Sequence, residues 1–258
     1  MHLIFIRHGD PDYVHNTVTE KGKREVECLT PRVCSWKVED FFVSPYGRAK
    51  DTIEPALEKL GREAETLDWL REFDVRVTDP VTKKPKCPWD WLPVYYYAHG
   101  EMFDKNKWIN SKVYNNKEII QRYKAVCDGF DEVLERYDYT RKSKNEAIYN
   151  CFPHITQEEA LTDTHLLAFQ KDTDEKNLVF VCHLGVMFVI ISHLTGLSPV
   201  QLWQGFFVAP TSVTVLSTEE RVPGEAVFRV QQLGDVSHLI KNGENPSCSG
   251  FFGNVGVF

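Results

Sequence analysis

Short apolar runs alternate with segments of helical period along the first third of the chain. Leu3-Ile4-Phe5-Ile6 is continuously apolar and reads as a fully buried strand, ended by a polar stretch with Gly9, Pro11 and Asn16. Thr19 suits an N-cap, which predicts a helix to about Leu29. Glu39–Val43 is a second strand closed by Ser44-Pro45, Gly47–Leu60 has helical period with Gly61 as its stop, and Glu63–Leu67 is a short third strand. That rhythm predicts an α/β sheet. Farther on, Lys117–Tyr137 and Gln157–Gln170 read as amphipathic helices, the second capped by Thr156. Leu178–Cys182 is a strand, His183-Leu184-Gly185 a sharp turn, and Val186–Leu194 a helix closed by Gly196. Ser212–Ser217 and Ala226–Leu233 read as final strands. The tail from Asn242, rich in Gly, Ser and Phe, reads as loosely held.

Residues 73–112 break this rhythm with Pro80, Pro85, Pro88 and Pro93 and an aromatic cluster of Trp89, Trp91, Tyr95, Tyr96 and Tyr97. Insertions of this length are often lids or binding loops, and the same aromatics would equally pack a small subdomain. With 258 residues and 42% hydrophobic content, the chain can build one α/β domain with an insertion, or two small domains.

Charge and cysteine usage narrow the function classes. A net charge of -7 argues against a nucleic-acid partner, which lysines and arginines would have to neutralise. It leaves room for an anionic small molecule in a local basic pocket. The seven cysteines are odd in number, irregularly spaced and without a C-x-x-C pair, so reduced thiols in a cytoplasmic protein are expected. The apolar start is broken by Arg7, which argues against a signal peptide. Leu178–Ile191 falls short of the roughly 20 residues of a membrane span and contains His183, so no membrane association is expected.

Four segments carry candidate chemistry. Arg7-His8-Gly9-Asp10 follows the first strand, and ligands of open α/β sheets bind beyond the carboxyl ends of strands. A histidine there can act as a nucleophile, beside a guanidinium whose forked donors suit phosphate. Ser44-Pro45-Tyr46-Gly47-Arg48 opens a helix whose free N–H groups favour an anion, with Arg48 in its first turn. Glu72 lies between Trp69 and Phe73, where desolvation would raise its pKa and suit it to protonate a leaving alkoxide. His183 sits again between a strand and a helix. Taken singly, each segment has an ordinary structural explanation. Together they offer the converging donors that phosphoryl transfer needs. There is no G-x-x-x-x-G-K-[ST] loop, G-x-G-x-x-G fingerprint, H-E-x-x-H or G-x-S-x-G elbow, and no grouping with metal-ligand spacing, so neither cofactor nor essential metal is expected.

These segments resemble the histidine phosphatase superfamily, also called phosphoglycerate mutase-like. The matching pieces are Leu3–Asp10, Thr19–Glu25, Phe41–Thr52, Leu70–Glu72, Val181–Gly185 and Gly234–Leu239. The resemblance implies a three-layer sandwich with a central, mostly parallel sheet flanked by helices. The chain would be a single domain over residues 1–258, with a cap-like insertion at about 73–165. It implies His8 as the phosphorylated nucleophile, Glu72 as proton donor, and Arg7, Arg48 and His183 as the phosphate pocket, with Asn16 as an outer phosphate contact. Asp10 stands where the family usually has Glu, and the loop Pro11–Val18 lacks the Arg usual in mutases. The expected activity is therefore hydrolysis of a small phosphomonoester through a phosphohistidine. A phosphoglycerate-type mutase using the same residues is the alternative, and a non-catalytic phosphate-binding module a third. The sequence leaves homodimerisation by sheet-edge pairing open.

Overall fold

The computed structural model describes residues 1–161, 176–251 and 253. In chain order the elements that position the site are β1 (His2–Arg7), α1 (Glu20–Cys34), β2 (Asp40–Val43), α2 (Gly47–Leu60), β3 (Glu65–Thr66) and α3 (Lys117–Glu135). Two short strands follow, β4 (Thr140–Arg141) and β5 (Tyr149–Asn150), then β6 (Asn177–Cys182), α4 (Leu184–Thr195) and α5 (Pro199–Gly205). The hairpin β7 (Val213–Val222) and β8 (Glu225–Asp235) and the helix α6 (Ser237–Lys241) complete the fold.

The strands form one mixed sheet in the order β3-β2-β6-β1-β7-β8-β5-β4. Its core, β3, β2, β6 and β1, is parallel, and the strands beyond β1 are joined antiparallel. Side chains of a strand alternate between faces, and both faces of β1 and β6 are covered, which explains their unbroken apolar runs. Leu3, Phe5, Leu178 and Phe180 pack toward α3 and α4, whereas Ile4, Ile6, Val179 and Val181 pack toward α1 and α2. On the first face Phe180 stacks on Phe42 at 4.8 Å and on Phe5 at 5.2 Å between ring centroids. A Phe180→Ala variant should lose about 3–5 kcal/mol of stability, measurable by denaturant unfolding, because a fully buried ring is replaced by a cavity.

Several boundaries differ from the expectations for local physical reasons. The first helix runs to Cys34 because Val26, Leu29 and Val33 extend its buried stripe past Pro31. The expected turn at 183–185 is the first turn of α4, with His183 as N-cap. The final strands are longer than their apolar stretches because the antiparallel ladder continues through polar positions, with Glu219 opposite Val227 and Val222 opposite Glu225. Helix Gln157–Leu161 is the start of the expected 157–170 helix, and the remainder lies outside the described residues.

The tail is not loosely held where it is described. Glu244 pairs with Lys21 and Arg24, each at 2.9 Å, and Ser247 N–H donates to buried Glu25 at 3.0 Å. In the insertion, Trp91, Tyr96, Met102, Trp108 and Tyr114 are buried in the same cluster as the sheet residues facing α3 and α4. Among the described residues, no helix is long and apolar enough to cross a membrane.

Candidate active site

The parallel ladder brings the candidate residues together. Arg7 pairs with Cys182, and Val181 with Val43, so β1, β6 and β2 end side by side. His8, His183 and Ser44 are the residues that follow those ends. The rings of His8 and His183 lie 5.0 Å apart. Arg48 enters from the first turn of α2 and Glu72 from the segment after β3. Arg7, His8, Arg48 and His183 are all buried.

Hydrogen bonds set the chemistry of each ring. His8 Nδ1 lies 2.7 Å from the carbonyl of Gly9, which can only accept. In a neutral imidazole the proton is therefore on Nδ1, and Nε2 carries a lone pair. Burial, followed by the charge of Arg7, holds the His8 pKa well below its ordinary value, so the ring stays neutral at physiological pH. His183 Nε2 lies 2.7 Å from Ser44 Oγ, which already accepts from Tyr46 N–H. With Ser44 donating to Nε2, His183 keeps its proton on Nδ1. Burial and then the neighbouring His8 lower the His183 pKa well below the usual range.

Three buried nitrogens in this cluster, Arg7 Nε, Arg48 Nε and His183 Nδ1, have no hydrogen-bond partner among the described residues. Buried polar groups are almost always satisfied, and a set left unsatisfied around one histidine is what a tetrahedral oxyanion would complete. The other arginine nitrogens are partly engaged. Arg7 Nη1 donates to Val208 O at 2.6 Å and Nη2 to Ser249 O at 2.8 Å. Arg48 Nη1 donates to Asn16 Oδ1 at 2.9 Å, and its guanidinium lies 4.7 Å from the Tyr46 ring centroid. Asn16 is exposed and reaches the cluster through Arg48.

Glu72 caps the start of α4. Its carboxylate accepts from Phe73 N–H at 2.7 Å, Val186 N–H at 3.0 Å and Gly185 N–H at 3.3 Å. Those bonds favour the anion, but desolvation is the larger effect and raises its pKa. Gly185 is needed here for space. A Cβ at that position would lie 2.4 Å from Trp89 Cζ3 and 2.7 Å from Glu72 Oε1. Gly185→Ala should therefore displace the carboxylate and reduce turnover more than stability, which parallel activity and thermal-melt measurements would separate.

Gly9 faces the protein rather than open space. Its Cβ would meet Gly22 O and Val18 at 3.3 Å, so the close approach it permits is to the start of α1. Several residues that hold the site carry no conspicuous motif. Thr52 Oγ1 accepts from Gly9 N–H at 2.9 Å and donates to Arg48 O at 2.6 Å, tying the loop to α2. Arg122 of α3 is buried and donates to Arg71 O at 2.5 Å, beside Glu72. Its Arg-to-carbonyl bond comes from the far side of the insertion, where no local pattern announces it. The Gly234–Leu239 block acts through structure: His238 lies 3.3 Å from Thr211 Oγ1, and Thr211 N–H donates to Arg7 O at 2.9 Å.

Glu25 ties α1 to the site by accepting from Asp10 N–H at 2.9 Å, and burial pushes its pKa up to about 7. A carboxyl with a raised folded pKa contributes stability below its unfolded value, near 4.5, and loses it as pH rises through 7. Glu25→Gln should flatten the fall in stability between those limits, by on the order of 3 kcal/mol in unfolding titrations across pH.

A cavity of about 470 Å³ adjoins the cluster, lined by Trp89, Asp90, Leu184, Trp203, Phe207 and Phe251 among others. Trp89 links it to Glu72 through the contact at Gly185.

Residues 3–86 match the family model described as histidine phosphatase superfamily (branch 1). No curated protein matches the sequence. Among solved structures, a mycobacterial glucosyl-3-phosphoglycerate phosphatase is similar at TM-score 0.53 and 14% identity, over 90% of this chain and 98% of that one. Bacillus stearothermophilus YhfR is similar at TM-score 0.54 and 16% identity, over 92% and 98%. The α-ribazole phosphatase of Shigella flexneri is similar at TM-score 0.50 and 17% identity, over 92% and 97%. Residues 3–86 are thus similar in sequence to the histidine phosphatase superfamily, and most of the chain shares the fold of these solved structures. The sequence match over residues 3–86 supports a phosphoryl-transfer enzyme.

Proposed function

We propose that the chain hydrolyses a small phosphomonoester through a phosphohistidine on His8. The observation that carries this reading is the ring of unsatisfied donors, Arg7 Nε, Arg48 Nε and His183 Nδ1, around a neutral imidazole with a free Nε2. Nε2 attacks phosphorus as the P–O ester bond breaks, and protonated Glu72 gives its proton to the departing oxygen. The three donors bind the equatorial oxygens as charge shifts among them. Water then attacks the phosphohistidine and gives a proton to the Glu72 carboxylate. The P–N bond breaks, releasing inorganic phosphate and restoring neutral His8.

Within the expected cap at 73–165, the part before α3 borders the leaving-group side, with Trp89 in the wall of the adjoining cavity, whereas α3, β4 and β5 belong to the main fold and residues 162–165 lie outside the described residues. That lining favours a leaving group with an apolar or ring-shaped face. No arginine lies in the loop Pro11–Val18 to retain a second phosphate, which favours hydrolysis over mutase chemistry. The chain is expected to work without a metal.

The test is a rapid alkaline quench during turnover of a phosphomonoester, with chelator present, followed by mass spectrometry of the His8 peptide. A phosphoryl group there, stable to alkali and labile to acid, is the expected result. Turnover with no such adduct and a burst-free time course would overturn the assignment. Interconversion of 2- and 3-phosphoglycerate without phosphate release would replace hydrolase with mutase.

A further inference from the structure

At the other end of the sheet three metal-ligating side chains come together outside the phosphate site. Cys151, His154 and Glu220 each offer a ligand atom, and these atoms all lie within 4.8 Å of one another. Glu220 Oε2 is 2.9 Å from His154 Nδ1 and 3.9 Å from Cys151 Sγ. Cys151 and His154 come from one segment after β5, and the third group arrives from β7, so the cluster is made by the fold rather than by sequence spacing.

The cluster is rigidly framed. Cys151 N–H donates to Gly224 O at 3.0 Å, continuing the β5–β8 ladder, in which Tyr149 faces Ala226. Glu220 is 8% exposed, and its Oε1 accepts from Gly224 N–H at 2.8 Å. His154 N–H also donates to the carboxylate, at 3.1 Å to Oε2. Among the described residues, no lysine or arginine pairs with this nearly buried acid. A carboxylate held inward beside a thiol and an imidazole is the setting a divalent ion would neutralise.

We infer that Cys151, His154 and Glu220 form a binding site for a zinc-class divalent cation. The S, N and O donor set fits a borderline-soft ion rather than magnesium or calcium, which take oxygen ligands. Tetrahedral bonds of about 2.0–2.3 Å need only small shifts from the present separations. On binding, the Cys151 thiol releases its proton to solvent, and the neutral His154 ring shifts its single proton from Nδ1 to Nε2, which frees Nδ1 for the metal. Three protein ligands leave a fourth position for water.

The site is separate from the phosphate chemistry. Val213 faces Ile6 and Ser217 faces His2, so β7 runs away from His8. At about 3.3 Å per residue, Glu220 lies roughly 20 Å from the end of β1 that carries His8. The ion would clip the segment 151–154 to the hairpin turn and take no part in turnover.

The experiment is a cobalt(II) titration of the metal-stripped full chain, read by absorption, followed by displacement with zinc. Wild type should develop a thiolate-to-cobalt charge-transfer band at one equivalent and lose it on zinc addition. Cys151→Ser should lack the band, and His154→Ala should bind at least tenfold more weakly. Both variants should keep wild-type phosphatase activity, which reports that they fold. Zinc should raise the melting temperature of wild type and leave Cys151→Ser unchanged. Absence of the band in wild type, or the same band in Cys151→Ser, would overturn the site.

Discussion

His8→Ala should abolish turnover while leaving substrate binding nearly intact. In the proposed reading the His8 imidazole is the nucleophile: its Nδ1 faces the Gly9 carbonyl, which leaves the Nε2 lone pair free, and Arg7, Arg48 and His183 nearby hold unsatisfied nitrogens. Its removal takes away the covalent route, and water would have to attack the ester directly. Loss of a nucleophile in a preorganised site costs on the order of 10⁴-fold or more in kcat. The donors Arg7, Arg48 and His183 do not depend on it. Arg7 is held by Val208 O and Ser249 O, Arg48 by Asn16 and His183 by Ser44. Inorganic phosphate or a slow substrate should therefore bind the variant within a few-fold of wild type in calorimetry. Retained turnover would show that another group attacks phosphorus. Lost binding with lost turnover would show that His8 builds the pocket rather than reacting in it.

The same cluster shows what a sequence can disclose. His8, Arg48 and His183 were legible because each follows an apolar strand, and the parallel register of β1, β6 and β2 turns that local position into proximity. Helix α2 was legible to the residue because Ser44-Pro45 ends the strand before it and Gly61 ends the helix itself. The tail was not. Its Gly, Ser and Phe content reads as loose, yet Ser247 and Ser249 find Glu25 and Arg7 across the whole length of the chain. Such bonds leave no periodic trace. The same holds for Glu220, whose place in a charged strand end gives no sign of Cys151 and His154 beside it. The aromatic insertion was ambiguous because one composition serves two ends. Trp91 and Trp108 are buried in the core, while Trp89 is half-buried at the cavity next to Glu72.

Glu72→Gln tests the division of labour between attack and protonation. Glutamine keeps the shape, and its Oε1 can still accept from the N–H groups of Phe73 and Val186, but the bond from Gly185 to the second oxygen is lost and the amide has no acidic proton to give. With an alkyl phosphate, whose alkoxide leaves poorly, kcat should fall about 10²–10⁴-fold, the usual worth of a positioned general acid. With nitrophenyl phosphate, whose phenolate departs without a proton, the loss should be far smaller. The pH dependence follows from the two shifted groups. As the proposed acid Glu72 would act in its protonated form, and burial raises its pKa, so activity should fall as pH rises through that raised value. As the proposed nucleophile His8 would act in its neutral form, and its pKa lies well below the ordinary value, so the acidic limb should appear only at low pH. The second ionisation of the substrate phosphate is common to both enzymes, so the ratio of their profiles isolates Glu72. In Glu72→Gln the alkaline limb should disappear while the acidic limb remains. An unchanged alkaline limb, or equal losses on the two substrates, would move the proton donor to another residue and leave Glu72 as a cap for α4.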